Sequence, residues 1–286
     1  PKPSSAASDV YKRQIEPLPI PNGGEPKPLA ALDSSVTYVA ETEDGAIYVA
    51  KAALVISTSV GRRVHVIGPF IICIGEDTVK EFVRNFSGDI PSMMLLMDRQ
   101  MTMRGIRVLL ERHVASAAVS LLKEGLVLLD GSLRLSLFEP KGVGLDSLLR
   151  EAVTVAISKA SRIRPVNRIA SVLLKSERPC YVEITDLVRT MVRPSLGRSF
   201  IVKLQATGLP FRADLPSHAD PAYVFSSLKE SDIIVRGYPE SLKVAHLLSV
   251  FTAAEVAALK GIIASQAGEV LATEDLRKVV LGSLKI

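Results

Sequence analysis

Three carboxylates stand out by their surroundings. Asp33 lies in a β-branched apolar run and is followed by Ser34-Ser35, Glu111 lies within a long helical stretch, and Asp130 ends the apolar run Leu126-Val127-Leu128-Leu129 just before Gly131-Ser132. If the strands carrying the two aspartates lie side by side, the acids meet at one edge of the sheet, and a helix packed across it presents Glu111 to both. Clustered carboxylates repel and raise one another's pKa unless cations neutralise them. Oxygen ligands without cysteine select hard cations such as Mg²⁺ or Mn²⁺. Two such ions about 4 Å apart activate a water and stabilise the leaving oxygen of a phosphodiester.

Each acid also has a plainer reading. Asp33 suits a strand-end turn and Asp130-Gly131 is a common turn pair, although a buried apolar strand running into a carboxylate marks a site at the strand terminus. Glu111 can pair with Arg107 at i,i+4 on a solvated face. At 100° per residue, however, it shares its face with Ala115, Ala118 and Leu122, which suits a partly covered surface. His246 is either a core-facing helix histidine or, eight residues after Tyr238, a metal ligand or proton carrier. Tyr238 before Pro239 is a turn aromatic, or its hydroxyl meets a phosphate or the attacking water. Asp214 is an auxiliary ligand or an internal salt-bridge partner. His65, His113 and His218 read as structural or solvent-facing.

The elements that must position these groups follow from periodicity. Ala31–Ala40, Ala46–Ser57 and Arg62–Ile74 alternate with period two and form an antiparallel meander, joined by Glu43-Asp44-Gly45 and a second glycine turn. A short helix follows over Asp77–Phe86. A longer one covers roughly Pro91–Glu124, with Ile106, Leu110, His113, Val114, Ala117 and Leu121 on one stripe. Gly125 ends it, and Leu126–Leu129 is a strand buried on both faces. Leu145–Ile157 reads as helical, and Cys180–Thr185, Ser199–Gln205 and Phe211–Leu215 as strands. Pro239–Val250 and Thr252–Ser265 are helices, the second opened by the capping box Thr252-x-x-Glu255.

Composition sets the outer limits. The 286 residues are 48% hydrophobic and 23% charged, with a net charge of +5, as in an ordinary globular protein. The length allows one large domain or two small ones. The two cysteines, Cys73 and Cys180, lie far apart, which argues against a disulfide framework or a structural zinc and fits a reducing cytoplasm. No apolar run of about 18 residues escapes a charge, so no membrane span is expected. With no tryptophan and 5% aromatics, platforms for stacking unpaired bases are scarce. Ser158–Arg178 carries Lys159, Arg162, Arg164, Arg168, Lys175 and Arg178 against Glu177 alone; it is a solvated face or a surface for a DNA backbone. Residues 1–14 read as an adapter-derived leader and 15–30 as a proline-rich lead-in, which leaves 31–286 as the functional domain.

The ordered set Leu32-Asp33-Ser34-Ser35, Glu111, Leu129-Asp130-Gly131-Ser132-Leu133, Ser158-Lys159, Phe211-Arg212-Ala213-Asp214-Leu215-Pro216 and Gly237-Tyr238-Pro239-x-x-Leu242-Lys243-x-Ala245-His246 resembles the motifs of the archaeal NurA nuclease family. The resemblance implies an α/β, RNase H-like mixed sheet flanked by helices, with additional C-terminal helices. It implies a single-stranded DNA endonuclease and 5′-to-3′ exonuclease using Mn²⁺ or Mg²⁺, two ions in all. A homodimer working with the hexameric ATPase HerA in resecting duplex DNA ends for homologous recombination and repair is implied too. The family's metal ligands fall on Asp33, Glu111 and Asp130. Its late tyrosine and histidine fall on Tyr238 and His246, the latter also a metal ligand, and Lys159, with Arg162 and Arg164, would meet the substrate backbone. A rival of another class is a non-catalytic nucleic-acid-binding or assembly subunit on the same fold.

Overall fold

The computed structural model describes residues 16–122, 124–158, 164–191 and 196–267. The strands in chain order are β1 (Leu18–Pro19), β2 (Leu29–Thr42), β3 (Gly45–Thr58), β4 (Gly61–Gly75), β5 (Leu126–Asp130), β6 (Val153–Ser158), β7 (Cys180–Glu183), β8 (Gly197–Lys203), β9 (Phe211–Pro216), β10 (Ile234–Val235) and β11 (Tyr238–Pro239). The helices are α1 (Val79–Arg84), α2 (Ser92–Met97), α3 (Arg99–Leu122), α4 (Leu145–Glu151), α5 (Arg164–Leu174), α6 (Thr185–Met191), α7 (Pro221–Ser231), α8 (Glu240–Ser249) and α9 (Ala253–Ala267). The chain divides into two compact units.

One unit holds residues 28–130, 135–154 and 241–286. Its β2, β3 and β4 are the expected antiparallel meander, and β5 pairs with β2 in parallel, Leu29 opposite Leu126 through Leu32 opposite Leu129. The period of two sorts side chains to the two faces of β3. Ala46, Tyr48 and Ala50 join Phe82, Phe86, Ile106 and Phe138 in a core under α1 to α3. Ile47 and Val49 join Val39 and Ile263 on the face covered by α9. The aromatic part of the first core, Phe82, Phe86 and Phe138, packs edge to face, an arrangement worth about 0.5–1.5 kcal/mol per pair beyond burial.

The helix expected over Pro91–Glu124 is two helices. Asp98 leaves the helical region, and its Oδ1 accepts from the N–H groups of Gln100 and Met101 (2.9 and 3.1 Å), so it ends α2 and caps α3. The buried face of α3 is Thr102, Gly105, Ile106, Val114, Ala115, Ala118, Val119 and Leu122, while His113, Ala117 and Leu121 are exposed. The expected stripe was therefore rotated, because it omitted the small residues on which the helix sits against the sheet. Leu145–Ile157 likewise divides into α4 and β6. The β-branched run Val153-Thr154-Val155 favours a strand, and Ala156–Ser158 pair antiparallel with β9.

The other unit holds residues 1–27, 131–134 and 155–240. Here β7, β8 and β9 form an antiparallel ladder, extended by β1 on β7 and by β6 on β9. Its core joins Val166, Leu173, Ile184 and Val188 to Ile201. Lys203 is buried yet satisfied, for its Nζ donates to the carbonyls of Leu174 and Ser176 at the end of α5. Three helices of this unit went unread in the sequence, α5 because its stretch was read only for its charge. α7 is capped by Asp220, which accepts from the Ala222 N–H, with Pro221 in the first turn. The third, α6, begins at Thr185.

Glu240–Ser265 is, by length and composition alone, apolar enough to cross a membrane. It breaks, however, at Val250–Thr252, where the Thr252 N–H donates to Glu255 Oε2 (2.7 Å) and the Glu255 N–H to Thr252 Oγ1 (3.2 Å), the capping box read in the sequence. The segment is two helices, and the second packs Leu259 and Ile263 on Val39, Ile47 and Val49 of β2 and β3.

Candidate active site

Register builds the site. With Leu32 opposite Leu129 on parallel strands, Asp33 and Asp130 are the next residues of β2 and β5. The strand pairing also assigns faces. Asp33 is opposite Ala53, Ser35 opposite Lys51 and Thr37 opposite Val49, so Asp33 shares the α9 face; Ser34 and Val36, opposite Ala52 and Ala50, share the α1–α3 face. Beyond Asp130, Gly131 adopts a φ of 127°, a conformation that an L side chain rarely takes, and the chain turns off the strand there.

Asp33 is buried, 3% exposed, and is the hub. Its Oδ1 accepts from the N–H of Ser34 (2.8 Å), with Arg107 Nη2 at 3.4 Å. Its Oδ2 accepts from the hydroxyl of the buried Ser249 (2.9 Å) and lies 2.8 Å from Nδ1 of His246. His246 Nδ1 is also 3.8 Å from Asp130 Oδ2. Both His246 and Ser249 come from α8, one turn apart on one side of the helix. One ligand atom each from Asp33, Asp130 and His246 lies within 4.8 Å of the other two. Two carboxylates and an imidazole so placed suit a divalent cation, and half-exposed His246 leaves the group open to solvent.

Glu111 reaches the same strand from the other face, because α3 packs beneath the side of β2 that carries Ser34. Its Oε2 lies 3.5 Å from Ser34 Oγ and 3.8 Å from Arg107 Nε, and its Oε1 accepts from Arg112 Nη1 (3.1 Å). Burial pushes the Glu111 carboxyl above the usual range; Arg112 and Arg107 pull it back, and Asp33 and Asp130 add to the rise. Arg112 is itself buried and donates through Nε and Nη2 to Glu139 (3.2 and 3.3 Å), which also accepts the N–H groups of Ser136 and Leu145. The i,i+4 pairing of Arg107 with Glu111 and the site reading thus coexist, for the same guanidinium spans Glu111 and Asp33.

Arg112, Glu139 and Ser249 were missed in the sequence, and Arg107, read there only as the i,i+4 partner of Glu111, also reaches Asp33. Of the three only Ser249 carried a signal, its spacing of three from His246. Tyr238 belongs to the other unit, in the β10–β11 hairpin, with its ring 4.9 Å from that of Phe211. Gly237 at φ 91° makes that turn, where a Cβ would run into the Leu209 carbonyl. Asp214 resolves to the salt-bridge reading, holding Arg212 Nε at 2.9 Å. His65, His113 and His218 are exposed. Arg164 opens α5, whereas Lys159 and Arg162 lie outside the described residues.

A mixed α/β fold in which a parallel strand pair delivers two neighbouring aspartates, closed by a histidine from a C-terminal helix, defines an RNase H-like nuclease, a hydrolase acting on DNA. The model of the NurA domain matches residues 27–251, and the chain belongs to the NurA family. The NurA nuclease from Sulfolobus solfataricus is similar in structure, with a TM-score of 0.59 at 16% identity over 92% of each chain. A second NurA structure is similar with a TM-score of 0.53 at 10% identity, covering 92% of this chain and 94% of the other. No curated protein matches the sequence.

Proposed function

We propose that this chain is a metal-dependent nuclease that cuts single-stranded DNA, both internally and from 5′ ends, and that as a cytoplasmic homodimer it resects duplex ends in recombinational repair with a HerA-type hexameric ATPase. The observation that carries the catalytic part is the convergence of Asp33, Asp130 and His246 within 4.8 Å. These three residues hold the cation, either Mn²⁺ or Mg²⁺, with Glu111 at the edge of the group available for a second. Bound there, it supplies Lewis-acid activation of water and neutralises charge developing on the phosphodiester. Asp33 is pre-set for this by Ser34, Ser249 and Arg107, so its orientation costs nothing when substrate arrives. The His246 imidazole holds or passes a proton at the carboxylate pair. Tyr238, from the family motif, and the basic residues Lys159, Arg162 and Arg164 position the strand. The unpaired thiols of Cys73 and Cys180 fit a reducing compartment.

The test is end-labelled single-stranded DNA with millimolar Mn²⁺ or Mg²⁺, with and without EDTA. Nucleotide release that EDTA suppresses is expected, from the 5′ end and at internal sites. His246→Ala is expected to lose at least a hundredfold in rate and exposed His113→Ala almost none. Strand binding without any release would make the chain a non-catalytic subunit.

A further inference from the structure

Arg107 and Arg112 both lie on α3 and both reach Glu111, but they are held in different ways. Arg112 is buried, and its guanidinium is spent on Glu111 (3.1 Å) and on both oxygens of Glu139 (3.2 and 3.3 Å). It is a fixed internal counter-charge. The Arg107 side chain is 46% exposed and stands 3.4 Å from Asp33 Oδ1 through Nη2 and 3.8 Å from Glu111 Oε2 through Nε. Hydrogen bonds between a guanidinium and a carboxylate run near about 2.7–2.9 Å, so Arg107 is drawn to the two acids without being locked to either. A solvent-facing ion pair of that kind is weak.

Asp33 does not depend on this guanidinium for its orientation. The Ser34 N–H holds Oδ1 (2.8 Å) and the Ser249 hydroxyl holds Oδ2 (2.9 Å). A divalent cation ligated by Asp33 neutralises the charge that attracts Arg107 and repels the guanidinium directly. The substrate then offers a replacement acceptor, because a phosphodiester presents oxygens that match the planar fork of arginine as a carboxylate does. Arg107 belongs to the same unit as Asp33, Asp130 and His246, and its guanidinium already touches the hub of the site from the solvent side. A phosphate oxygen meeting a cation on Asp33 therefore falls within the sweep of this side chain.

We propose that Arg107 is a substrate-binding residue that changes acceptors: without a divalent cation its guanidinium lies on Asp33 and Glu111, and with the cation bound it takes a phosphate of the strand being cut. The idea rests on the metal-dependent nuclease reading, but its readout is binding rather than hydrolysis, so the two can fail separately. Anisotropy of a fluorescein-labelled oligo-dT strand is titrated across a series of KCl concentrations, once in EDTA and once in millimolar Ca²⁺, an ion that takes the same oxygen ligands. A gel confirms that the strand stays intact. In Ca²⁺, Arg107→Gln is expected to weaken binding about five- to tenfold and to flatten the log–log salt slope by about 0.7, the loss of one phosphate contact on a single strand. In EDTA the same change should leave the slope unaltered, because the guanidinium is then engaged by the carboxylates. Arg107→Lys should regain part of the slope in Ca²⁺. Arg104→Gln, which removes an exposed charge one turn earlier on α3, should show no difference between the two conditions. An equal flattening in EDTA and Ca²⁺ would make Arg107 part of a general positive field, and none in either would make it a structural partner of Asp33; each result overturns the proposal. Absence of strand binding by wild type in Ca²⁺ would do the same. A Ca²⁺-dependent slope change in a chain that releases no nucleotides with Mn²⁺ would sink the catalytic reading alone.

Discussion

Asp33 and Asp130 occupy neighbouring positions on parallel strands but differ in surroundings, and that decides how each responds to substitution. Asp33 is 3% exposed and takes a backbone N–H, the Ser249 hydroxyl, His246 and Arg107; the side chain of Asp130 is one-third exposed. Replacing either by asparagine removes a ligating charge, so both variants should be inactive toward single-stranded DNA in Mn²⁺. Asp33→Asn should also lose about 1–3 kcal/mol of stability, because an amide nitrogen now faces a donor set built for a carboxylate. Asp130→Asn should melt at the wild-type temperature or above it in EDTA, since carboxylate repulsion is relieved. Thermal melts beside a cleavage assay check both, and an Asp33→Asn variant as stable as wild type would show that the hub contributes no stability. The two aspartates and the histidine were legible because motif order and strand pairing put them together. Arg112 and Glu139 were not, since a buried ion pair depends on a loop and a helix meeting, which no local pattern encodes.

Among the elements, α3 and α9 are each fixed by an ion pair of a different kind. Arg112 on α3 and Glu139 on the loop between β5 and α4 are both buried, with Arg112 also gripping Glu111. Removing one member leaves the other charge buried and unpaired, so Glu139→Gln should cost about 3–5 kcal/mol in a urea titration. In α9 the pair sits nearer water. Lys51 Nζ lies 2.7 Å from Glu255 Oε1 and 4.8 Å above the Phe251 ring, and together with the Thr252 cap this pushes the Glu255 carboxyl down to about 2 from an ordinary 4.5. A carboxyl depressed in the folded state stabilises above its unfolded value and loses that stabilisation as pH falls through the folded one. The melting-temperature advantage of wild type over Glu255→Gln should therefore be constant above about pH 5 and fade between pH 4.5 and 2; a pH-independent gap would place the effect in packing. The capping box, the meander and the fourth strand could be read from local pattern, but not that strand's parallel pairing with β2. The break at Asp98 and the strand Val153–Ser158 could not, because an interior cap and a short apolar run look alike in helix and strand until tertiary pairing decides.

At the scale of the whole molecule, the apolar surface of α8 and α9 is larger than the described residues of their own unit cover. Ile263 joins the core with Val39 and Val49, and Leu259 and Phe251 pack against it, but Leu247, Leu248, Val250 and Ile262 remain exposed, Leu247 by 64%. Exposed aliphatic side chains gathered on consecutive elements mark an interaction surface more often than scattered single ones do, and a twofold contact uses the same patch on both copies. A homodimer formed through α8 and α9 would also border the helix that presents His246, so assembly and strand delivery would share one element. Light scattering at micromolar concentration should then give twice the 30.8 kDa mass of the chain. Leu247→Asp combined with Ile262→Asp should give the single mass, because each buries a carboxylate against apolar surface in the dimer and none in the monomer. The monomeric variant should still cut single-stranded DNA with Mn²⁺, as Asp33, Asp130 and His246 all come from one chain, but it should gain nothing from a HerA-type ATPase with ATP on duplex ends. A wild-type monomer, or a double variant that stays dimeric, would move the interface elsewhere; recovery of wild type on neutral lipid vesicles would instead assign the apolar face to a membrane surface.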